Sequence, residues 1–541
     1  MTMPESTSNN HAVEPPRSLG RILLQMGPGL IIAGSIVGSG ELISTTKTGA
    51  QSGVTLLWLI LFGCIIKVFA QVEIGRHTIL TGQSSLRALN SVPGKVGPIN
   101  FILWTWIAMM LVSVVQLGGI VGGVGQSLAI ACPITRDYVN AIAIPSKGEL
   151  KHYIKYRDAI DTQHESFTSL PDEEQTRLRR GIDRIEQQLS ISGSPGAEAL
   201  RLVRESGDWA DPYTYDDKLW ALIMSVLTSY LLYVGSYSLL QNLTTAFVFT
   251  FTLVTIGNVV ALQFTPNWAV TSTQVLEGLS FKLPPKTSSS NPLSTALDAF
   301  GVIGVGAAEL IQYPYWCLEK GYAKHVGYRD NSEAWATRAT GWIKIMMLDS
   351  FLSMIVYTIA TVAFLILGAS VLYPEGLDPD GMRMVSTLAA AYRPIFGIYA
   401  SWLFLLGAFC VLFSTFLVAN AGHAHTLADF FSMLGWRKDT SEAASNRNIA
   451  TWGAVLPMLN FAMYCTGANP VRVILLAGMM QALLLPMIGI GTLMFRYSNK
   501  DPRFKPALWW DICLILSVLS FITIASWTLY EKGRYLLSLL A

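Results

Sequence analysis

Eleven stretches of this chain are apolar for long enough to cross the roughly 30 Å hydrocarbon core of a bilayer, and no other feature limits its fold so strongly. They run at about 27 to 46, 54 to 75, 99 to 131, 218 to 237, 240 to 262, 297 to 317, 343 to 372, 394 to 420, 449 to 466, 471 to 494 and 508 to 530. Residues 218 to 262 must divide at Gly235 to Ser238, because one helix of that length would overshoot the bilayer. Backbone polar groups in hydrocarbon have to be satisfied within the segment, so the expected class is an all-α integral membrane protein with eleven transmembrane helices. Only 14% of residues are charged, against about 25% in a soluble domain. A net charge of +2 provides no basic field for nucleic acid, and a nucleic-acid partner is not expected.

Residues 1–20 are polar, carry no removable-signal pattern and read as a cytoplasmic N-terminal tail, with the first membrane helix serving as insertion signal. Residues 21–132 then hold helices 1 to 3 and residues 216–541 hold helices 4 to 11. Between them, residues 133–215 carry 11 Lys/Arg and 14 Asp/Glu in 83 residues, which marks a small soluble insert. Within it Pro171 to Glu174 opens an acidic helix start, and Leu178, Ile182, Ile185 and Leu189 recur at helical spacing. That predicts an amphipathic helix over 171–190 and a second over 197–205. With the N-terminus cytoplasmic, the short loops on that side collect 16 Lys/Arg against 8 on the other. The positive-inside rule then places the C-terminus and the insert outside a plasma (inner) membrane. The insert reads as a packing cap over the outer helix ends, with partner docking as the alternative.

Two of the apolar stretches contain nearly the same eight residues. Val37-Gly38-Ser39-Gly40-Glu41-Leu42-Ile43-Ser44 and Val305-Gly306-Ala307-Ala308-Glu309-Leu310-Ile311-Gln312 agree at five positions, glutamate included. The two helices run in opposite senses, so the match implies an inverted repeat of five helices each, the sequence pointer to a secondary transporter. Gly34, Gly38 and Gly40 weaken helix 1 by up to about 1 kcal/mol each, which lets it unwind at mid-depth. Exposed carbonyls near Ser35, Gly38 and Val305 would be oxygen ligands of the kind hard cations prefer. A carboxylate at the bilayer centre costs about 2.5 to 3.5 kcal/mol, so Glu41 and Glu309 call for a divalent cation or protons as compensation. The competing reading has each carboxylate bonding the free amides of a broken helix.

At these residues the chain resembles the Nramp family of proton-coupled divalent metal transporters. Gly27-Pro28-Gly29, Thr48-Gly49-Ala50-Gln51-Ser52-Gly53 and Leu56-Leu57-Trp58 match that family's first hairpin, and Gly301-Val302-Ile303-Gly304 its sixth helix. Ser414-Thr415 with Ala421-Gly422 and Asp429-Phe430-Phe431 resembles its eighth, and Leu484-Leu485-Pro486 its tenth. The resemblance implies the LeuT-type fold, ten helices in a 5+5 inverted repeat with helices 1 and 6 broken, and an eleventh appended. It spans the membrane part and omits the insert. The chemical positions differ: the family's Asp-Pro-Gly-Asn is here Gly38-Ser39-Gly40-Glu41, and its methionine ligand falls on Ala308, with Glu309 and Leu310 following in place of proline and histidine. Losing a thioether while keeping carboxylates shifts the expected cargo towards Mg²⁺ or Mn²⁺. The family's acidic pair in helix 3 appears as Ser113 and Gln116, and its tenth-helix glutamine falls on Gly478, beside Met479, Met480 and Gln481.

The expected function is thus a secondary transporter moving a divalent metal cation by alternating access, with metal ligands at Glu41, Glu309, Gly38, Ser35 and Val305. Two glutamates facing across the pseudo-twofold would let protons compete with metal. His423 and His425 read first as ordinary interfacial histidines, with a proton acceptor or cytosolic release gate as the functional alternative; two apart on a helix, they do not share a face. Lys67 and Glu73, Lys344 and Asp349, and Asp511 read as interfacial charges, and Trp104-Trp106 and Trp509-Trp510 as interfacial belts. Six scattered cysteines form no Cys-x-x-Cys pair, and no metalloprotease, hydrolase or Walker motif appears, so neither an enzyme nor a resident cofactor is expected. Alternatives are a transporter of the same fold for another small solute, and a non-transporting receptor or scaffold docking a partner through the insert. Oligomeric state is left open.

Overall fold

A computed structural model describes residues 12–540 apart from 39, 163, 171, 267, 285–291, 331, 391, 393–399, 437–440, 499–500 and 505–506. Most of the N-terminal tail, Ser39, Pro171 and the start of the eighth apolar stretch at 394 therefore lie outside the described residues. Among the rest, the apolar stretches are helical apart from breaks in the first and the sixth. Eight helices are long and apolar enough to span a membrane, or nine if the bent pair Leu19–Gln25 and Pro28–Ile36 counts as one. The expected number was eleven. The difference has a physical source: spans 1 and 6 are interrupted, and span 9, Glu442–Cys465, begins in a polar turn around Asn446 and Arg447.

Span 1 is Pro28–Ile36, a π-helical turn Gly40–Thr45 and then Thr46–Ser52; span 6 is Pro292–Phe300 and Ala307–Glu319. The break in span 1 falls at Val37 and Gly38, so Gly34 stays helical although its series suggested unwinding there. In span 6 the chain turns through Gly304, whose φ of +63° is a conformation that glycine adopts without Cβ strain. Spans 4 and 5, Asp216–Val234 and Tyr237–Gln263, part at Gly235 and Ser236 as the length argument required. Span 3 (Phe101–Ala131) packs against span 10 (Pro470–Ser498), span 4 and span 8 (Ala400–Met433), forming the scaffold beside which the broken helices lie. Small residues allow the closeness: a Cβ at Gly125 would sit 2.1 Å from the Asp217 carbonyl, and one at Gly118 would sit 2.9 Å from that of Asn460.

The insert is helical, with Asp172–Ser206 kinked at Gly193, where φ is +57° and ψ is −131°. Its second arm is longer than expected. The two ends of the insert are pinned together. Asp216 accepts the amides of Thr135 at 2.8 Å and Arg136 at 2.9 Å, and Asp137 accepts that of Asp216 at 3.2 Å. From there the insert grips the segment after span 7 (Glu333–Leu367): Arg184 donates to the Glu375 carbonyl at 3.3 Å and Tyr138 to that of Met382. Arg383 returns the contact to the Ile144 carbonyl at 2.7 Å and to Asp211 at 2.8 Å. The same segment reaches span 1 through Lys47 and Asp378, 2.6 Å apart.

Several polar groups lie deeper than snorkelling allows. Lys67 is fully buried, and Asp349 is buried with Oδ2 accepting the Gly29 amide at 2.6 Å, so span 7 caps the start of span 1. Glu73 is buried between Arg76 at 3.0 Å and the Trp510 indole N–H at 2.7 Å. Asp511 pairs with Arg496 at 2.8 Å, while Lys344 is exposed as an interfacial lysine should be. Only one tryptophan of each presumed belt pair faces outward: Trp104 and Trp509 are exposed, whereas Trp106 and Trp510 are core.

Candidate functional site

The two helix breaks meet beside a cavity of about 20 Å³. A water needs roughly 10–15 Å³, so the space has room for one water or one dehydrated ion. Among the described residues Glu309 is the only carboxylate on its wall. Ser35 joins it from the other break, its hydroxyl donating to Glu309 Oε1 at 3.2 Å. Gln312, Thr415, His423 and Gln481 complete the polar wall, together with Ser113 and Gln116, the residues at the family's helix-3 acidic positions.

Glu41 does something different from what the repeat suggested. Its side chain is fully buried outside the cavity wall, where Oε1 accepts the Gly304 amide at 3.1 Å and Oε2 accepts the Gly38 amide at 3.4 Å. One carboxylate thereby satisfies a free N–H at each break, the reading that competed with metal binding. The expected pair of glutamates facing one ion is replaced by one glutamate at the cavity and one holding the breaks. The reason is positional. Glu309 lies in the first turn of the second half of span 6, after the break, whereas Glu41 lies in a π-helical turn that directs it towards Thr361 of span 7.

Gly38 and Val305 are buried at the breaks and do not reach the cavity wall. A Cβ on Gly38 would lie 1.7 Å from Thr415 Oγ1, so span 8 fills the space that the family's aspartate takes up. Thr415 donates to the carbonyls of Gly34 and Ser35 at 3.3 Å each, and Ser414 to that of Gly34 at 3.3 Å. The exposed helix-end oxygens thus have hydroxyl partners. His425 turns away from the cavity, its Nε2 lying 3.2 Å from Glu319 and its Nδ1 2.9 Å from the Ala421 carbonyl. His423 is not interfacial: it is 4% exposed and lines the cavity.

Three site residues escaped the sequence argument. Lys67, between Leu57–Ile66 and Val68–Thr81, donates to the Ile303 carbonyl at 2.7 Å and to that of Phe300, over whose ring it also lies at 4.4 Å. Its ammonium thus caps the first half of span 6, where the helix dipole is negative. Gln481 accepts the Ala308 amide at 3.2 Å, so the tenth span does supply a glutamine, three residues beyond the position aligned at Gly478. Gln312 packs its amide against Gly422, where a Cβ would come within 2.3 Å of Oε1. The repeat itself contained a signal for Gln312, as its eighth position.

A multi-pass, all-α membrane protein with two interrupted helices meeting at a small polar cavity is a transporter of the LeuT type. The chain belongs to the Nramp family: the family model "Natural resistance-associated macrophage protein-like" matches residues 213–531. Two solved structures of a manganese transporter from Eremococcus coleocola share the fold. One, in complex with an aromatic bis-isothiourea substituted compound, has a TM-score of 0.52 at 13% identity, covering 99% of this chain and 100% of that one. The other, a histidine-to-alanine mutant, has a TM-score of 0.51 at 13% identity, covering 98% and 99%. No curated protein sequence matches.

Proposed function

We infer that the protein is a secondary active transporter that moves a divalent metal cation across its membrane by alternating access, and not an enzyme. The observation carrying this reading is the cavity of about 20 Å³ where the two breaks meet, with Glu309 as its one carboxylate. A site of that size and sign takes a dehydrated cation. Its oxygen-rich wall suits Mn²⁺ or Mg²⁺ over soft metals, and the similar solved structures are those of a manganese transporter. Glu309 is the charged ligand and Ser35 its neighbour. Glu41 and Lys67 fix the breaks about which the half-helices tilt. Because Ser113 and Gln116 cannot relay protons as acids would, proton coupling in this chain is competition between proton and metal at Glu309. The excess of Lys/Arg in the short loops supports an N-terminus in the cytoplasm, with the insert and C-terminus outside a plasma (inner) membrane.

The test is uptake into proteoliposomes across a panel of divalent ions at two pH values, comparing the parent with Glu309→Ala and Glu41→Ala. Saturable uptake by the parent that Glu309→Ala abolishes supports the reading. A parent that moves no divalent ion, or a Glu309→Ala variant that matches its rate, overturns it.

A further inference from the structure

His423 poses a problem that its neighbours do not solve. Its side chain is 4% exposed, yet neither ring nitrogen has a hydrogen-bond partner, although burying such a group unpaired is costly. It lines the same cavity as Glu309 and Gln312, and there Glu309 Oε2 and Gln312 Oε1 are also without partners. A third oxygen is close by. The point where a Cβ would stand on Gly306 lies 2.5 Å from Glu309 Oε2, 2.5 Å from Gln481 Oε1 and 2.9 Å from the Gly301 carbonyl. The His423 ring, Glu309 Oε2 and Gln312 Oε1, none with a partner, and Gln481 Oε1, which accepts the Ala308 amide, therefore line one ion-sized space where Glu309 is the only charged side chain among the described residues.

We propose that His423 is a metal ligand and that its imidazole makes the transporter select first-row transition ions such as Mn²⁺ over Mg²⁺. The proposal rests on the divalent-cation reading above and deepens it. Among the described residues no group of three or more His, Cys, Asp or Glu side chains gathers to hold a metal, so the shell is completed by Gln312, Gln481 and water. Span 8 contributes the nitrogen donor. The helix-6 position that carries a histidine in the family is Leu310, which is buried outside the cavity wall. Mg²⁺ holds its waters and takes oxygen ligands, whereas transition ions accept imidazole, so a single nitrogen donor discriminates between ions of similar size and equal charge.

The test compares Mn²⁺ and Mg²⁺ uptake by the parent and by His423→Gln, which keeps a polar side chain of related size. The parent should show the lower KM for Mn²⁺, and His423→Gln should reduce the Mn²⁺ to Mg²⁺ preference about tenfold or more, the Mn²⁺ KM rising by far more than the Mg²⁺ KM. A residue with only a packing role would raise both KM values together or neither, and that result overturns the proposal. So does a parent that takes up Mg²⁺ as well as Mn²⁺. If His423→Gln fails to fold, electron paramagnetic resonance decides on the parent alone. Mn²⁺ bound at one equivalent to isotope-labelled protein must show histidine-nitrogen coupling, and its absence overturns the assignment. A parent that binds Mn²⁺ with that coupling but transports nothing would refute the transport reading and leave the ligand assignment standing.

Discussion

Glu41 Oε1 accepts the amide of Gly304 at 3.1 Å, so a carboxylate from the first broken helix closes the break in the sixth. Its other oxygen takes the amide of Gly38 in its own helix. The pseudo-symmetric partner Glu309 does not reciprocate with amides of span 1; it meets the Ser35 hydroxyl instead. Two residues equivalent in sequence have thus divided structure and chemistry between them.

The first prediction follows from that division. Glu41→Ala leaves two buried amides unpaired, at about 1–3 kcal/mol each, and should lower the melting temperature in detergent markedly. Glu309→Gln should melt close to the parent while losing most uptake. Equal losses of stability in the two variants would contradict the assignment.

Lys67→Met should destabilise by removing the charged donor from the Phe300 and Ile303 carbonyls, about 1.5–3 kcal/mol for each bond. The effect is local, so hydrogen exchange should quicken at the end of Pro292–Phe300 before it quickens in span 3. Uniform exchange across the spans would argue against a capping role.

Gly38→Ala places a Cβ 1.7 Å from Thr415 Oγ1, an overlap expected to cost about 1–3 kcal/mol. In combination with Thr415→Ala the closest contact disappears. The double variant should therefore be more stable than the sum of the single losses, read as a coupling in thermal unfolding.

In the insert, burial and then the nearby cations Arg177, Lys155 and Arg184 hold His152 below the ordinary histidine value, with Glu149 opposing. The folded insert resists protonation while the unfolded chain accepts it near pH 6.5, about the free value. Stability contributed here is present above that pH and lost as pH falls through it. The protection factors for hydrogen exchange over 147–206, taken relative to the intrinsic rate at each pH, should fall below about pH 6.5, and His152→Gln should flatten that dependence.

The spans were legible because hydrocarbon demands long apolar helices, and Glu309 was legible because the repeat set it apart from other glutamates. Lys67 and Gln481 were not. Lys67 lies six residues from Glu73 and looked like a residue near a helix end, while its partners are carbonyls more than two hundred positions away. Gln481 reaches the site through the packing of span 10 on span 6, which spacing within either helix does not reveal. For Glu41 the sequence left an ion and the free amides of a broken helix as competing partners, and the fold brings it to amides, a choice that spacing along the chain does not make. His423 and His425 were correctly separated by helical phase, although phase alone could not say which of them points inward.

The clasp of Asp137 and Asp216 makes the intervening residues a cassette. The chain departs from span 3 and returns to span 4 through one narrow doorway. The cassette's other footing is the chain that leaves span 7, so the insert links that doorway to residues 375–383 and, through Asp378 and Lys47, to span 1.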